Sequence, residues 1–195
     1  EIGSPYSRSL EDYCVKIIKK NAKPKSVALM KAMLNYGAAA QVLNNYKTDT
    51  LANRYLDDAD KILTAVDATA YRFNMRGSEA GIEAVGKQLL LGSETTIRIG
   101  FRLAEGKTAE EYTFTIDGKE AKPVYKDGLY CLEVPNISAH KLDEFHTFTC
   151  GGITLEYCAL SYVNSMMNKY TEGPSFDLAV AIYNYSQATE AYIAK

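Results

Sequence analysis

The stretch SLEDYCVKIIKKNAKPKSVALMKAMLNYGAAAQVLN at Ser9–Asn44 returns as CALSYVNSMMNKYTEGPSFDLAVAIYNYSQATEAYI at Cys158–Ile193. The two copies align without a gap, so that Tyr36 of the first meets Tyr185 of the second. One gapless register over so long a stretch indicates an internal repeat rather than chance agreement. The repeat therefore predicts two equivalent structural units with a different kind of chain between them.

Each copy is predicted to be a hairpin of two helices. In the first copy Ser9 is a suitable cap for a helix over Leu10–Lys20, because a serine oxygen accepts from the free amides of the first turn. The segment Asn21-Ala22-Lys23-Pro24 ends this helix, since proline excludes α geometry at the residue before it. Ser26 is then predicted to cap a second helix over Val27–Asn44.

The second copy repeats this pattern, with helices over Ala159–Lys169 and Phe176–Ala194 and with Ser175 as the second cap. Gly37 lies in the middle of a predicted helix, where glycine costs about 1 kcal/mol relative to alanine. Close approach of another helix would offset that cost. We therefore expect the two hairpins to pack together as a four-helix bundle.

The chain between the hairpins has the pattern of a β-domain. Thr95–Leu103 alternates apolar and polar residues, which is typical of a half-buried strand. Asp117-Gly118 is a strong type I′ hairpin signal, and Asp127-Gly128 marks another turn. The other predicted strands are Ala68–Met75, Ile82–Leu91, Tyr112–Ile116, Lys119–Val124, Leu129–Val134, Phe145–Cys150 and Ile153–Tyr157.

The predicted fold class is thus α+β, with an antiparallel immunoglobulin-like β-sandwich flanked by the two helical hairpins. The predicted divisions are hairpin 1 at 9–45, a connecting segment at 46–64, the sandwich at 65–157 and hairpin 2 at 158–195. The sequence starts with Glu rather than Met, so we expect it to be part of a longer chain, and its first five residues carry no weight.

Charge and hydropathy argue against several classes of partner. The net charge is −2 and no basic run exceeds a pair of residues, so nucleic acid is not an expected partner. No apolar stretch approaches the roughly 20 residues of a membrane span, so membrane insertion is not expected. The four cysteines contain no CxxC motif, and four free, mostly buried thiols are expected, with a Cys131–Cys150 disulfide as the open alternative.

No catalytic or cofactor-binding motif is present, and we expect neither an enzyme nor a cofactor. His140 and His146 lie near one loop, but a metal site would need a third ligand, and solvated loop histidines are far commoner. The acidic run Asp57, Asp58 and Asp60 does not have the spacing of an EF-hand, so no metal site is predicted.

The candidate ligand-binding residues are arginines and tyrosines. Arg98 and Arg102 point the same way from one strand across Gly100, which predicts a flat gap between two planar cations. The chain has 15 Tyr and no Trp, and tyrosine suits both half-buried cores and contact surfaces. Tyr125 beside a turn, together with Tyr46 and Tyr55 in the connecting segment, completes the candidate set.

Two helical sequence motifs of the repeat resemble a module of large exported proteins of Gram-positive gut anaerobes. These motifs are Met30–Gln41 and Asn184–Tyr192. Tyr112–Gly118 and Ala159–Tyr162 are also similar to that family, so the resemblance runs from about Leu10 onward. In such proteins the module recurs in chains of the cell surface or cell wall. The resemblance implies an extracellular location on a bacterial surface and assigns no functional residue.

From this resemblance and the tyrosine content we expect a non-catalytic module that recognises a host protein, such as immunoglobulin or a mucosal glycoprotein. The first alternative is a carbohydrate-binding accessory module, against which the absence of Trp counts. The second alternative is a structural spacer.

Overall fold

The computed structural model describes residues 9–20 and 23–194, and the chain is α+β with two antiparallel sheets. The described residues do not include 1–8, Asn21, Ala22 and Lys195. Part of the predicted helix break and the last residue of the predicted second hairpin therefore lie outside the described residues. The chain divides into two compact units. One unit contains the chain up to Val66 and from Met166 onward, and the other contains Asp67–Ser165.

The described helices are α1 (Leu10–Lys19), α2 (Pro24–Leu43), the single turn α3 (Asp58–Lys61), α4 (Ala159–Lys169) and α5 (Pro174–Ile193). Within the first unit α2 packs against both α1 and α5. Apolar side chains of α1 and α2 and of the connecting segment form the core there, and Tyr185 of α5 packs against them. The buried members of this core are Cys14, Leu29, Met30, Leu34 and Leu56.

The helix caps are predicted correctly in one case and wrongly in two. The Ser9 oxygen accepts from the backbone N–H of Asp12 at 3.1 Å, as expected of an N-cap. The long helices α2 and α5, however, begin at Pro24 and Pro174, before the serines predicted to cap them. Proline is favoured at the first position of a helix, because its φ is already helical and no amide donor is lost there. Each proline therefore starts its helix.

Nine strands form the two sheets of the described second unit. The four-stranded sheet has the order β2 (Ile82–Leu91), β3 (Thr95–Leu103), β7 (Leu129–Val134), β6 (Val124–Lys126). The five-stranded sheet has the order β1 (Asn74–Arg76), β9 (Ile153–Tyr157), β8 (His146–Cys150), β4 (Phe114–Ile116), β5 (Lys119–Glu120). Short 3-10 turns occur at Thr69–Tyr71, Ala109–Glu111 and Ala139–Lys141.

The two predicted aspartate–glycine turns are confirmed in position and conformation. Asp117 and Gly118 have φ values of 51° and 75°, and Asp127 and Gly128 have 52° and 80°. Two successive residues with positive φ are what a type I′ turn requires. The first turn joins β4 to β5 and the second joins β6 to β7.

Several predicted strands are shorter or displaced; the predicted strand Tyr112–Ile116, for example, begins only at Phe114. Over Ala68–Met75 the chain first makes a 3-10 turn, because the Asp67 carboxylate accepts from both the amide and the hydroxyl of Thr69. The predicted strand Lys119–Val124 is also wrong as one element. It breaks into the two-residue β5 and the separate β6, with Pro123 between them, since proline cannot donate to a ladder.

The core of the second unit lies where the two sheets meet. Ile97, Ile99 and Phe101 of β3 are fully buried. The ring of Phe101 contacts that of Phe114 from the other sheet edge-on, with centroids 5.7 Å apart. The four cysteines of the chain are all buried and free, as predicted.

Candidate functional site

The connecting segment after α2 is held against that helix by the side chain of Gln41. The Gln41 amide nitrogen donates to the carbonyl oxygens of Lys47 and Thr50, at 3.3 Å and 3.2 Å. The Gln41 amide oxygen accepts from the backbone N–H of Ala52 at 2.7 Å. One side chain thus satisfies three backbone groups of a segment that has little regular structure, which restricts the conformations open to it.

Asn35, six residues earlier on α2, holds the segment in the same way, and we call Gln41 and Asn35 the two clamps. The Asn35 side chain is buried; the amide nitrogen donates to the carbonyl of Asp60 at 2.7 Å, and the amide oxygen accepts from the Asn53 side chain at 2.9 Å. The ammonium of Lys31, one turn away, lies 2.7 Å from the Asp60 carboxylate. The far end of the segment is therefore bound to α2 as well.

Gly37 lies between these two clamps, and its role differs from the one predicted. A Cβ added at Gly37 would lie 3.0 Å from the Cβ of Ala52. The close approach that explains a glycine in mid-helix is therefore made by the connecting segment and not by another helix. A helical glycine is tolerated here because it lets this segment lie directly on the helix backbone.

Tyr55 lies in the connecting segment, between residues that are hydrogen-bonded to the two clamps. Its side chain is 61% exposed, while the next residue, Leu56, is buried in the core. The guanidinium of Arg54 lies 4.6 Å from the centre of the Tyr55 ring, and a terminal nitrogen of Arg54 lies 2.7 Å from a carboxylate oxygen of Glu11. The ring is thus backed by a cation that is itself held by α1.

Tyr46 is presented in a similar way at the start of the segment. It is 58% exposed, and its backbone N–H donates to the carbonyl of Gln41 at 2.9 Å. Asn45 and Lys47 on either side both have φ of 49°, a left-handed conformation that costs energy in residues other than glycine. The Lys47 ammonium lies 5.2 Å from the ring centre of Tyr46. We call residues 44–56, with Tyr46 and Tyr55 exposed, the tyrosine segment.

The arginines of the predicted sheet site are paired within the protein. The Arg98 side chain is only 14% exposed. Its Nε lies 2.7 Å from the Glu133 carboxylate, and its Nη1 donates a hydrogen bond to the Gln88 side chain at 3.2 Å. Lys126 also contacts Glu133, at 3.0 Å. Burial raises the pKa of Glu133, but the hydrogen bonds from Lys126 and Arg98 lower it more, so the pKa lies below its ordinary value.

Arg102 lies on the same face as Arg98, but no gap separates the two. Arg102 is paired with Glu83 at 3.0 Å. A Cβ at Gly100 would come within 2.9 Å of a Leu129 methyl group, so the Leu129 side chain already occupies the space over this glycine. The predicted flat gap between two cations does not exist, because a neighbouring strand fills it.

Tyr125 belongs to the opposite face of that sheet. It pairs in register with Tyr130, which pairs with Phe101 of the core, and the two tyrosine rings are 4.9 Å apart. The five candidate residues therefore lie in three parts of the structure. Tyr46 and Tyr55 share the tyrosine segment, the two arginines share one sheet face, and Tyr125 lies on the other.

His146 and Asp58 each contact a nearby charged side chain. Nδ1 of His146 lies 2.7 Å from the Asp117 carboxylate, whose other oxygen accepts from the Thr147 amide at 2.8 Å. Asp58 is paired with Lys61. Across the described ranges, no three His, Cys, Asp or Glu side chains are grouped so as to hold a metal ion.

Sequence reasoning missed the clamps Asn35 and Gln41. Asn35 lies in the apolar run of a predicted helix, and a buried amide there needs hydrogen-bond partners. Gln41 lies near the end of the same helix, before a polar connecting segment. These two positions are the sequence signals that could have identified the clamps. Sequence alone could not say which backbone groups would meet them.

Among the helices that the structure describes, none combines the length and the apolar character that crossing a bilayer requires. The tyrosine segment combines a backbone that is hydrogen-bonded to α2, two exposed rings and a cation beside each ring. Comparison of the chain with protein-family models, with curated proteins and with solved structures found no match.

Proposed function

We propose that this chain is a non-catalytic protein-binding module and that the tyrosine segment is its contact surface. The observation that carries the proposal is the fixed presentation of two exposed aromatic rings on an irregular segment. Exposed tyrosine offers a large contact area with few rotatable bonds, so little entropy is lost on binding. The clamps on α2 reduce that loss further, because the backbone is ordered before the partner arrives.

The proposal favours a protein over a glycan. For a glycan, the candidate surface is the sheet face of Arg98 and Arg102, and each of these arginines is paired with a carboxylate. Leu129 covers the space between them. Tyr55 lies beside the guanidinium of Arg54, and tyrosine and arginine are both enriched at the centres of protein interfaces.

The proposed setting is the surface of a bacterial cell, with a host protein such as immunoglobulin or a mucosal glycoprotein as partner. This part rests on the resemblance of the repeated helical phrases to exported surface proteins. The finer architecture is proposed with it, as an immunoglobulin-like sandwich with the two hairpins paired in a four-helix bundle. The edge-on contact of Phe101 with Phe114 supports the sandwich, and the packing of α2 on α1 and α5 supports the bundle.

The test is a binding screen of the purified chain against immobilised secretory immunoglobulin and mucins, before and after deglycosylation, and against polysaccharides. We expect saturable binding to a protein that survives deglycosylation. Tyr46→Ala and Tyr55→Ala should each weaken that binding by about 30-fold, the effect of losing a contact worth about 2 kcal/mol.

The matched control is Tyr192→Ala, which removes a tyrosine of similar exposure from α5. It should leave the affinity within about twofold, the level of a near-neutral contact. Binding to glycans alone would contradict the proposal. Equal losses from all three substitutions would place the contact surface elsewhere.

A further inference from the structure

The second unit has a groove between the outer strands of its two sheets. β1 is an edge strand of the five-stranded sheet, and β2 is an edge strand of the four-stranded sheet. A cavity of about 160 Å³ opens between them. We call this the edge groove, and it is lined by Phe73, Met75, Ala84, Val85, Lys87 and Leu155.

The edge groove is apolar and accessible. Leu155 of the core forms its floor at 1% exposure, whereas Met75 and Val85 on its rims are 52% and 37% exposed. The volume is close to that of apolar cavities that hold a benzene-sized group, about 150 Å³. It therefore suits one medium-sized apolar side chain from a partner.

The strand edges beside the groove differ in their ability to pair. β2 carries a bulge at Val85, between the pairs that Ala84 and Gly86 make with β3. Bulges twist an edge strand and hinder further pairing. β1 pairs with β9 in an unbroken register over Asn74–Arg76, and no other described strand pairs with it. An extended segment can therefore add to β1, as peptides add to open sheet edges.

One cation, Lys87, lines the groove, and a second, Arg72, is the chain neighbour of its lining residue Phe73. The Lys87 ammonium lies 4.0 Å from the centre of the Phe73 ring, on the core-facing side of β2. Arg72 is exposed immediately before Phe73. Among the described residues, none that lines the groove carries a carboxylate. The nearest acid on β9, Glu156, is already in contact with Asn74 and Arg76.

We propose that the edge groove binds an extended acidic peptide segment, which pairs with β1 and places one apolar side chain over Leu155. Carboxylates of that segment lie against Lys87 and Arg72. Backbone pairing supplies affinity, and the groove and its cations supply selectivity for sequence and charge. This surface belongs to a different unit from the tyrosine segment and goes beyond the function proposed above.

The experiment measures anisotropy of a fluorescein-labelled peptide, Thr-Glu-Val-Asp-Leu-Glu-Val-Asp-Thr, titrated with the whole chain. We expect saturable binding with a Kd below about 1 mM. The affinity should fall at high salt, because exposed charges are screened. The same peptide with Lys at each acidic position should bind at least about 10-fold more weakly.

Two variants locate the site. Arg72→Glu should weaken binding about 10-fold by reversing one charge at the groove. Met75→Glu, at a position that is 52% exposed, should abolish binding by repelling the acidic segment. The control is the double variant Lys119→Glu and Lys122→Glu. Lys119 lies on β5, at the opposite edge of the five-stranded sheet from β1, so this variant should change peptide affinity little. Circular dichroism checks that each variant is folded.

Three results would overturn the proposal. The first is absence of saturable binding to the acidic peptide by the unmodified chain. The second is equal binding of the acidic and lysine peptides, or an equal loss in the control variant. The third is a concentration-dependent dimer that Met75→Glu abolishes while the peptide does not bind, which would make the occupant a second copy of this chain.

Discussion

Replacement of Asn35 by alanine tests whether the tyrosine segment is held in place by α2. The side chain is 9% exposed and makes two short hydrogen bonds, to Asp60 and from Asn53. Each such bond contributes about 1 kcal/mol net, and leaving a partner unsatisfied adds to the loss. Alanine recovers about 0.6 kcal/mol through its higher helix propensity. The net expected loss for Asn35→Ala is about 2 kcal/mol.

The loss should appear first as local opening, because these bonds connect an irregular segment to a helix. A difference of 2 kcal/mol corresponds to about a 30-fold change in an equilibrium constant. We therefore expect amide hydrogen exchange in residues 52–60 to become about 30-fold faster in Asn35→Ala. Urea unfolding, followed by circular dichroism, should report the global change.

The chain provides a matched control in Asn184, the equivalent residue of the second copy on α5. No hydrogen bond joins the Asn184 side chain to any residue that the structure describes, so Asn184→Ala should be neutral or slightly stabilising. Equal behaviour of the two variants, or a loss below about 0.5 kcal/mol in Asn35→Ala, would refute the reasoning.

Two further changes have predictable effects. Gly77 has φ of 79°, and a Cβ there would overlap the Gly152 carbonyl oxygen, so Gly77→Ala should cost about 3 kcal/mol in urea unfolding. Gly106→Ala has the same φ in open space and should cost only about 1–2 kcal/mol; equal costs would rule out the overlap. Burial raises the pKa of Asp117, but hydrogen bonds from the His146 ring and from the backbone amide of Thr147 lower it more. The pKa of Asp117 therefore lies below its ordinary value. Ionised Asp117 therefore stabilises the fold above about pH 4, and this contribution is lost as pH falls. The stability gap between the native chain and Asp117→Asn should shrink between about pH 5 and pH 2.5, and a constant gap would contradict the pairing.

The parts of the fold that sequence predicts best are those encoded by local pattern. The alternation of Thr95–Leu103 and the positive-φ pairs at Asp117-Gly118 and Asp127-Gly128 depend on near neighbours in the chain, and the structure confirms them. The start of α2 is also local, but two rules compete there. The cap preference of Ser26 loses to the helical φ of Pro24, which begins the helix earlier.

Features that depend on distant residues escaped prediction. The occupation of the space over Gly100 by Leu129 requires the register between two strands, which no local pattern supplies. The clamp between Gln41 and Ala52 is likewise invisible before the connecting segment is placed. For the candidate site, sequence could therefore name Tyr46 and Tyr55 but not the groups that hold them.

Tyr36 and Tyr185 occupy equivalent positions in the two copies of the repeat, and their rings stack with centroids 5.6 Å apart and planes 17° from parallel. The helices that carry them run in opposite directions, since Lys25 near the start of α2 donates to the Ala194 carbonyl just beyond α5. A residue that touches its own counterpart marks a local two-fold axis, as in an isologous dimer. At this pair, the contact between α2 and α5 is therefore isologous, although both helices belong to one polypeptide.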